Sequence, residues 1–257
     1  ERANIIGEID ALNKRYQNAL LKNADGEMAD DDFQEVKKLT KGEIDVLERR
    51  LNDLAVVGTE IKDLVASTLK KVANIIRDDK DRRVIVVSAP GKRSSDDIKV
   101  TDLLIDLGET YFRGENYQDK LQLILDRFKS ITDELHLSNH IIDDIRDGIE
   151  EILSSDIDRA SKMDALKASG EDSLAKVLAH YLQSLGMNAI YLNPKEAGIY
   201  VSDEPGSARI LDESYEHLYK LHDSEEIVII PGFFGYTKDG KLVTFSRGGS
   251  DITGSIV

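Results

Sequence analysis

The run Phe245-Ser246-Arg247-Gly248-Gly249-Ser250-Asp251-Ile252-Thr253-Gly254 holds the residue types that anion chemistry needs. Paired glycines permit a turn with outward-pointing amides, and a small-residue helix starting there adds its positive end, so the segment can cradle a phosphate or carboxylate. Arg247 adds a permanently charged planar fork suited to either group, and Asp251 places a carboxylate in the same stretch. A structural hairpin has little use for Arg, Gly-Gly, Ser and Asp together, which weights this segment towards function.

Two earlier segments have related but weaker signals. Val87-Ser88-Ala89-Pro90-Gly91-Lys92-Arg93 follows a β-branched run, and Val100-Thr101-Asp102 opens the helix beyond it. Small residues at a strand end let a ligand approach the backbone, and Thr101 can cap that helix while presenting its hydroxyl. An ordinary loop is the competing reading. Ala168-Ser169-Gly170-Glu171-Asp172-Ser173 precedes the apolar positions Leu174, Val177, Leu178 and Leu182. It reads as a helix N-terminus, where Glu171 either offsets the dipole or pairs with a substrate ammonium.

The elements that must position these segments come in two kinds. Over residues 1–65 the pattern is helical: Ile5, Ile9, Leu12, Tyr16 and Leu20 recur at three- and four-residue intervals. Asn23 to Gly26 has turn chemistry, and Asp31 with Gln34 resembles a capping box. Phe33, Val36, Ile44, Leu47, Leu51, Leu54, Ile61 and Val65 then form a second stripe close to a heptad, with Thr40 at a weak position. The reading is an α-helical coiled-coil hairpin with a longer second arm, which can self-associate into a homo-oligomer. Residues 66–257 alternate between the two periods. Helices are expected over 68–77, 117–129, 141–153 and 173–185, and strands over 83–87, 189–192, 227–230 and 241–245. Such alternation implies an α/β sandwich with a largely parallel sheet, whose ligands bind beyond the carboxyl ends of the strands.

Composition narrows the partners. The 257 residues have a formal net charge of −15 and no cysteine. That balance argues against a phosphate-backbone binder, so no nucleic acid is expected. The missing thiols exclude disulfides and zinc–thiolate sites and fit a cytoplasmic location. No apolar run approaches the roughly 18 residues that span a bilayer, so no membrane is expected. The N-terminus resembles no signal peptide, and without an initiating Met it reads as a fragment or a processed chain.

Taken together and in order, these segments resemble the aspartate kinase branch of the amino-acid kinase family. Pro231-Gly232-Phe233-Phe234-Gly235 followed by Arg247-Gly248-Gly249-Ser250-Asp251 carries most of the likeness, while Ser88 to Arg93, Thr101, Glu171 and Gly198 fall where the family has their counterparts. The resemblance runs from about residue 66 to the last residue. It implies an incomplete three-layer α/β sandwich of the amino-acid kinase type. It also implies ATP- and Mg²⁺-dependent phosphorylation of the β-carboxylate of L-aspartate, giving an acyl phosphate used in amino-acid biosynthesis. In that pattern Glu171 meets the substrate ammonium and Arg247 a substrate carboxylate. Ser88, Thr101, Phe233 and Ser250 line the pocket, Gly248 and Gly249 meet phosphate, and Asp251 sits near the reacting groups. No side-chain metal cluster is implied.

The sequence departs from the pattern in three respects. The family's opening Lys-Phe-Gly-Gly-Ser-type loop is absent, and neither Lys92 nor Lys99 stands in its lysine's position. The nucleotide-binding and regulatory segments that follow in the family lie beyond Val257. Residues 1–65 resemble instead the coiled-coil arm of large serine recombinases, through Leu21 to Met28 and Asp32-Phe33. The expectation is most of an aspartate pocket with impaired turnover. Acetylglutamate and glutamate 5-kinases share the fold and chemistry, although the paired Phe233-Phe234 with Arg247 to Asp251 favours aspartate. A non-catalytic coiled-coil protein with a kinase-like scaffold is the reading from a different class.

Overall fold

Helix α1 (Arg2–Ala24) and helix α2 (Asp30–Gly58) make up the first of two compact units, Glu1–Lys62 and Asp63–Val257. The computed structural model describes residues 2–25, 28–58, 63–93, 97–246 and 248–257. Within the first unit Tyr16 stacks on Phe33 at 6.1 Å between ring centroids, and Ala19, Phe33 and Thr40 are buried. Among the described side chains, the seam of the first helix differs from the expected stripe at its end. After Tyr16 it passes to Ala19, and Leu20 is left 39% exposed. Expected positions Gly26 and Ile61, and the side chains of Ile5, Ile9, Leu51 and Leu54, lie outside what is described. The second stripe does not run on to Val65. Asp63 starts a new helix, α3 (Leu64–Asp78), by accepting the Val65 amide at 2.9 Å, and an N-cap of this kind ends any continuous heptad.

The second unit continues with β1 (Val84–Val87), α4 (Val100–Phe112), α5 (Gln118–Glu134), α6 (His140–Ser154), α7 (Arg159–Ser184), β2 (Ala189–Tyr191) and the single turn α8 (Pro194–Ala197). Then come α9 (Glu213–Tyr219), β3 (Ile227–Pro231), β4 (Phe234–Tyr236), β5 (Leu242–Thr244) and α10 (Gly249–Ile256). Strand β3 lies between β1 and β2, all three parallel, with Val84 opposite Val228 and Ala189 opposite Ile227. Strands β4 and β5 form an antiparallel hairpin. Side chains alternate faces along a strand, and β3 shows what each face meets. Ile229 packs with the helices from α3 to α7, whereas Val228 and Ile230 pack with Val243, Phe245, Leu218 and the chain around Ile199. Apolar cover on both faces makes a three-layer α/β arrangement around a small sheet. Among the described residues no helix is long and apolar enough to cross a membrane.

Helix α7 departs most from expectation. It begins at Arg159, not near residue 173, because Asp158 caps it by accepting the amides of Ala160 and Ser161 at 3.0 and 3.1 Å. Ala168 to Ser173 therefore lie in the middle of a 26-residue helix. Glycine inside a helix costs roughly 0.5–1 kcal/mol relative to alanine, and close packing explains Gly170. A Cβ there would lie 3.0 Å from Ala89 Cβ and 3.2 Å from Leu104 Cδ1. The glycine brings α7 close to both α4 and the chain leaving β1.

That departing chain is tied down by charge. Arg127 on α5, 2% exposed, donates to Gly91 O at 2.6 Å and to Asp63 Oδ2 at 3.2 Å, and lies 3.2 Å from Asp97. Asp97 is in turn held by Arg93, so its carboxyl stays well below the usual carboxylate range. One guanidinium thus links α5, the cap of α3 and the loop after β1. Removing one partner of a buried pair leaves the other charge uncompensated. Arg127→Met is expected to cost about 3 kcal/mol or more of stability in urea titrations. A loss under about 1 kcal/mol, typical of exposed ion pairs, would show the network to be dispensable.

Candidate functional site

Each segment singled out in the sequence meets at the carboxyl ends of β1 and β3. Ser88 follows β1, Thr101 is in the first turn of α4, Glu171 projects from the middle of α7, and Phe233 joins β3 to β4. Gly248 precedes α10, whose first turn holds Gly249, Ser250 and Asp251. All of these line one pocket of about 410 Å³. Arg247 lies outside the described residues.

Two local readings need correction. Thr101 caps nothing: Lys99 holds the N-cap position of α4, no side-chain cap bond forms there, and Thr101 is already inside the helix. Glu171 is no helix-terminal carboxylate, being far from the amino end of α7. The amino end of its own helix therefore does not offset its charge.

Close packing fixes the glycine-rich corner. Phe233 adopts φ +77°, a left-handed conformation costing a bulky residue roughly 1–3 kcal/mol. Its amide donates to Thr253 Oγ1 at 3.1 Å, and its carbonyl accepts from the Phe245 amide at 2.8 Å. The Thr253 hydroxyl donates in turn to Gly249 O at 3.0 Å, which ties the turn to α10. A Cβ on Gly249 would lie 2.7 Å from Phe245 Cβ and 2.8 Å from Phe233 Cδ2. Gly248 takes φ +85° before α10, and no side chain caps the helix. The first amides of α10 therefore remain available to an anion in the pocket.

Glu171 sets the electrostatics. It is 4% exposed, and its Oε2 has no hydrogen-bond partner. Burial pushes its carboxyl from an ordinary 4.5 up to about 7, against the opposing pull of the Ala89 amide and the Ser88 hydroxyl. A buried, half-satisfied carboxylate is costly to maintain without a partner, which is why burial favours its protonated form.

The pocket also has residues that the sequence reading missed. Lys167 and Thr244 line it. Buried Asp164 sits behind them, accepting the amides of Gly206 and Thr244 at 3.0 Å each and pairing with Lys167 at 3.3 Å. Lys167 lies one helical turn before Glu171, so an earlier start for α7 would have put both on one face. The hairpin carrying Thr244 had a signal as well, in Asp239-Gly240 between its strands. Among the described residues no group of three or more His, Cys, Asp or Glu side chains is placed to hold a metal ion.

The chain matches the model of the amino acid kinase family over residues 54–257. It is 46% identical to aspartokinase 3 of Bacillus subtilis over 190 residues, which covers 74% of this chain and 42% of that protein. The aspartokinase of Geobacillus stearothermophilus is 37% identical over 92 residues, covering 36% and 23% respectively. Among solved structures, Clostridium acetobutylicum aspartate kinase superposes with a TM-score of 0.61 at 31% identity, over 74% of this chain and 41% of that one. Escherichia coli aspartokinase III, in complex with aspartate and ADP, gives 0.60 at 24% identity over 77% and 44%, a likeness of fold. The chain thus spans less than half the length of these relatives.

Glu171 yields a pH prediction. Its proton is held more tightly in the folded protein than in the unfolded chain, so stability falls as pH rises from about 4.5 to about 7 and is level above. The displacement corresponds to at most roughly 3 kcal/mol. Glu171→Gln keeps the shape and removes the charge. In urea titrations it is expected to be more stable than the parent at pH 8 and nearly equal to it at pH 5. The same difference at both pH values would rule out this titration.

Proposed function

The chain belongs to the amino acid kinase family, and we propose that its pocket is the aspartate site of an aspartate kinase. The observation that carries this reading is the unpaired, buried Oε2 of Glu171, in a pocket shared with the uncapped amino end of α10. A site holding a carboxylate for an ammonium beside donors for anions suits a zwitterionic amino acid. The 46% identity to a B. subtilis aspartokinase supports aspartate as that amino acid.

In this reaction ATP, with Mg²⁺, supplies the phosphoryl group accepted by the β-carboxylate. An aspartate side chain has a pKa near ~4, so the nucleophile is already ionised at neutral pH and no general base is required. The protein's task is then positioning and charge neutralisation. Glu171 holds the ammonium, and the Ser88, Thr101 and Ser250 hydroxyls offer hydrogen bonds within the pocket. Phe233 and Phe245 wall it against water, while the amides around Gly248 and Gly249 face the incoming phosphate. Asp251 is the other carboxylate that lines the pocket, too few ligands to hold Mg²⁺ without the nucleotide. A cytoplasmic setting belongs to the same proposal.

Only ionised Glu171 pairs with an ammonium, so binding below about pH 7 expels a proton. Calorimetry with L-aspartate is expected to show affinity rising with pH up to about 7 and levelling above, with binding lost in Glu171→Ala and in Arg247→Ala. A folded chain that ignores L-aspartate, or prefers L-glutamate or N-acetylglutamate, would overturn the assignment.

The helical unit is proposed to self-associate. Leu39 and Val46, seven residues apart on α2 and each 59% exposed, line a groove of about 890 Å³ with Leu12 and Leu47. Glu8, Arg15, Lys38 and Glu43 at the same groove provide both signs of charge for a second copy. Light scattering is expected to give a mass above that of one chain, which Leu39→Glu with Val46→Glu reduces to the monomer. A parent chain that is monomeric at micromolar concentration would refute this.

A further inference from the structure

Glu171 accounts for one charge of a bound aspartate, and two carboxylates remain. The resemblance assigns one of them to Arg247. Among the described residues lining the pocket, Lys167 is the one cation. Its pairing with Asp164, at 3.3 Å, is long and uses one of three ammonium protons. Asp164 is less dependent on it, because its other oxygen already accepts two backbone amides. Lys167 is 25% exposed at the side chain, compared with 4% for Asp164, so it has room to turn towards an occupant.

A second observation lies beside it. The Thr244 hydroxyl is buried without a hydrogen-bond partner, on a residue that lines the same pocket and whose amide is held by Asp164. Unpartnered buried hydroxyls are uncommon, and one in a ligand pocket is explained when the ligand completes it. Lys167 and Glu171 are about 6 Å apart along the axis of α7. In aspartate the ammonium nitrogen is three bonds from the side-chain carboxylate carbon, a span that one molecule can bridge.

We propose that Lys167 and Thr244 form the subsite for the substrate's side-chain carboxylate. Lys167 turns from Asp164 to that carboxylate, and Thr244 donates its hydroxyl. The subsite fixes the nucleophilic oxygens and distinguishes aspartate from its amide. This inference rests on the aspartate reading above.

The test is calorimetry on the whole chain with L-aspartate and L-asparagine, which keep the same ammonium and α-carboxylate. The parent is expected to bind aspartate at least about tenfold more tightly than asparagine. Lys167→Met is expected to weaken aspartate about ten- to a hundredfold, the range of a lost charge-assisted hydrogen bond, and to leave asparagine nearly unchanged. Lys167→Arg restores most of the discrimination. Thr244→Val, close in shape and rid of an unpaired hydroxyl, is expected to be at least as stable as the parent and to bind aspartate about threefold or more weakly. A Met variant that still discriminates overturns the proposal, as does one that weakens both ligands equally, since Lys167 would then act through Asp164. If the Met variant unfolds, unchanged aspartate binding by Thr244→Val decides against the subsite. A parent chain that binds neither ligand removes the aspartate reading itself.

Discussion

The close approach of α7 to α4 and to the chain leaving β1 governs the rest of the second unit. Gly170 makes it possible, since a methyl group there would press on Ala89 and Leu104. The next residue along the helix is Glu171, so the contact that completes the core also drives a carboxylate into it. The raised pKa and the unpaired oxygen follow from that burial. In the proposed aspartate site, stability and binding therefore pull against each other at one residue, as is common where a site is built into a packed interface.

Charge elsewhere keeps this arrangement in place. Arg127 gathers the carbonyl of Gly91, the α3 cap Asp63 and the loop carboxylate Asp97 into one buried network beneath the segment that begins with Ser88. Asp164 does the same on the other side, joining α7 to the strand end at Thr244 and to Gly206. Both are buried ionic groups with several partners, the condition under which a charge survives in a core. The pocket between them is framed by backbone that these two networks hold in place.

Much of this was legible in the sequence. The β-branched runs at residues 84–87 and 227–230 are strands, because both faces of a buried parallel strand are apolar and leave an uninterrupted signal. The turn before α10 was legible from Gly248, since few other residues permit its left-handed backbone. The start of α7 was not. Lys162, Asp164 and Lys167 interrupt the apolar pattern, and the burial of Asp164 is made possible by partners distant in sequence, Gly206 and Thr244. A helix buried on several sides carries no clean amphipathic stripe.

The sequence by itself determined the residue types, the alternation of strands with helices, and the order of small, glycine-rich segments at strand ends, since these depend on local backbone preference and apolar period. The seam that passes to Ala19 instead of Leu20 and the burial of Glu171 in the middle of a helix were decided by tertiary structure. So was the unpartnered hydroxyl of Thr244. The reason is physical: burial, and the price it sets on an unpaired charge or hydroxyl, is a property of what surrounds an atom, and the surroundings of Glu171 come from segments as far apart in sequence as Ser88 and Asp251.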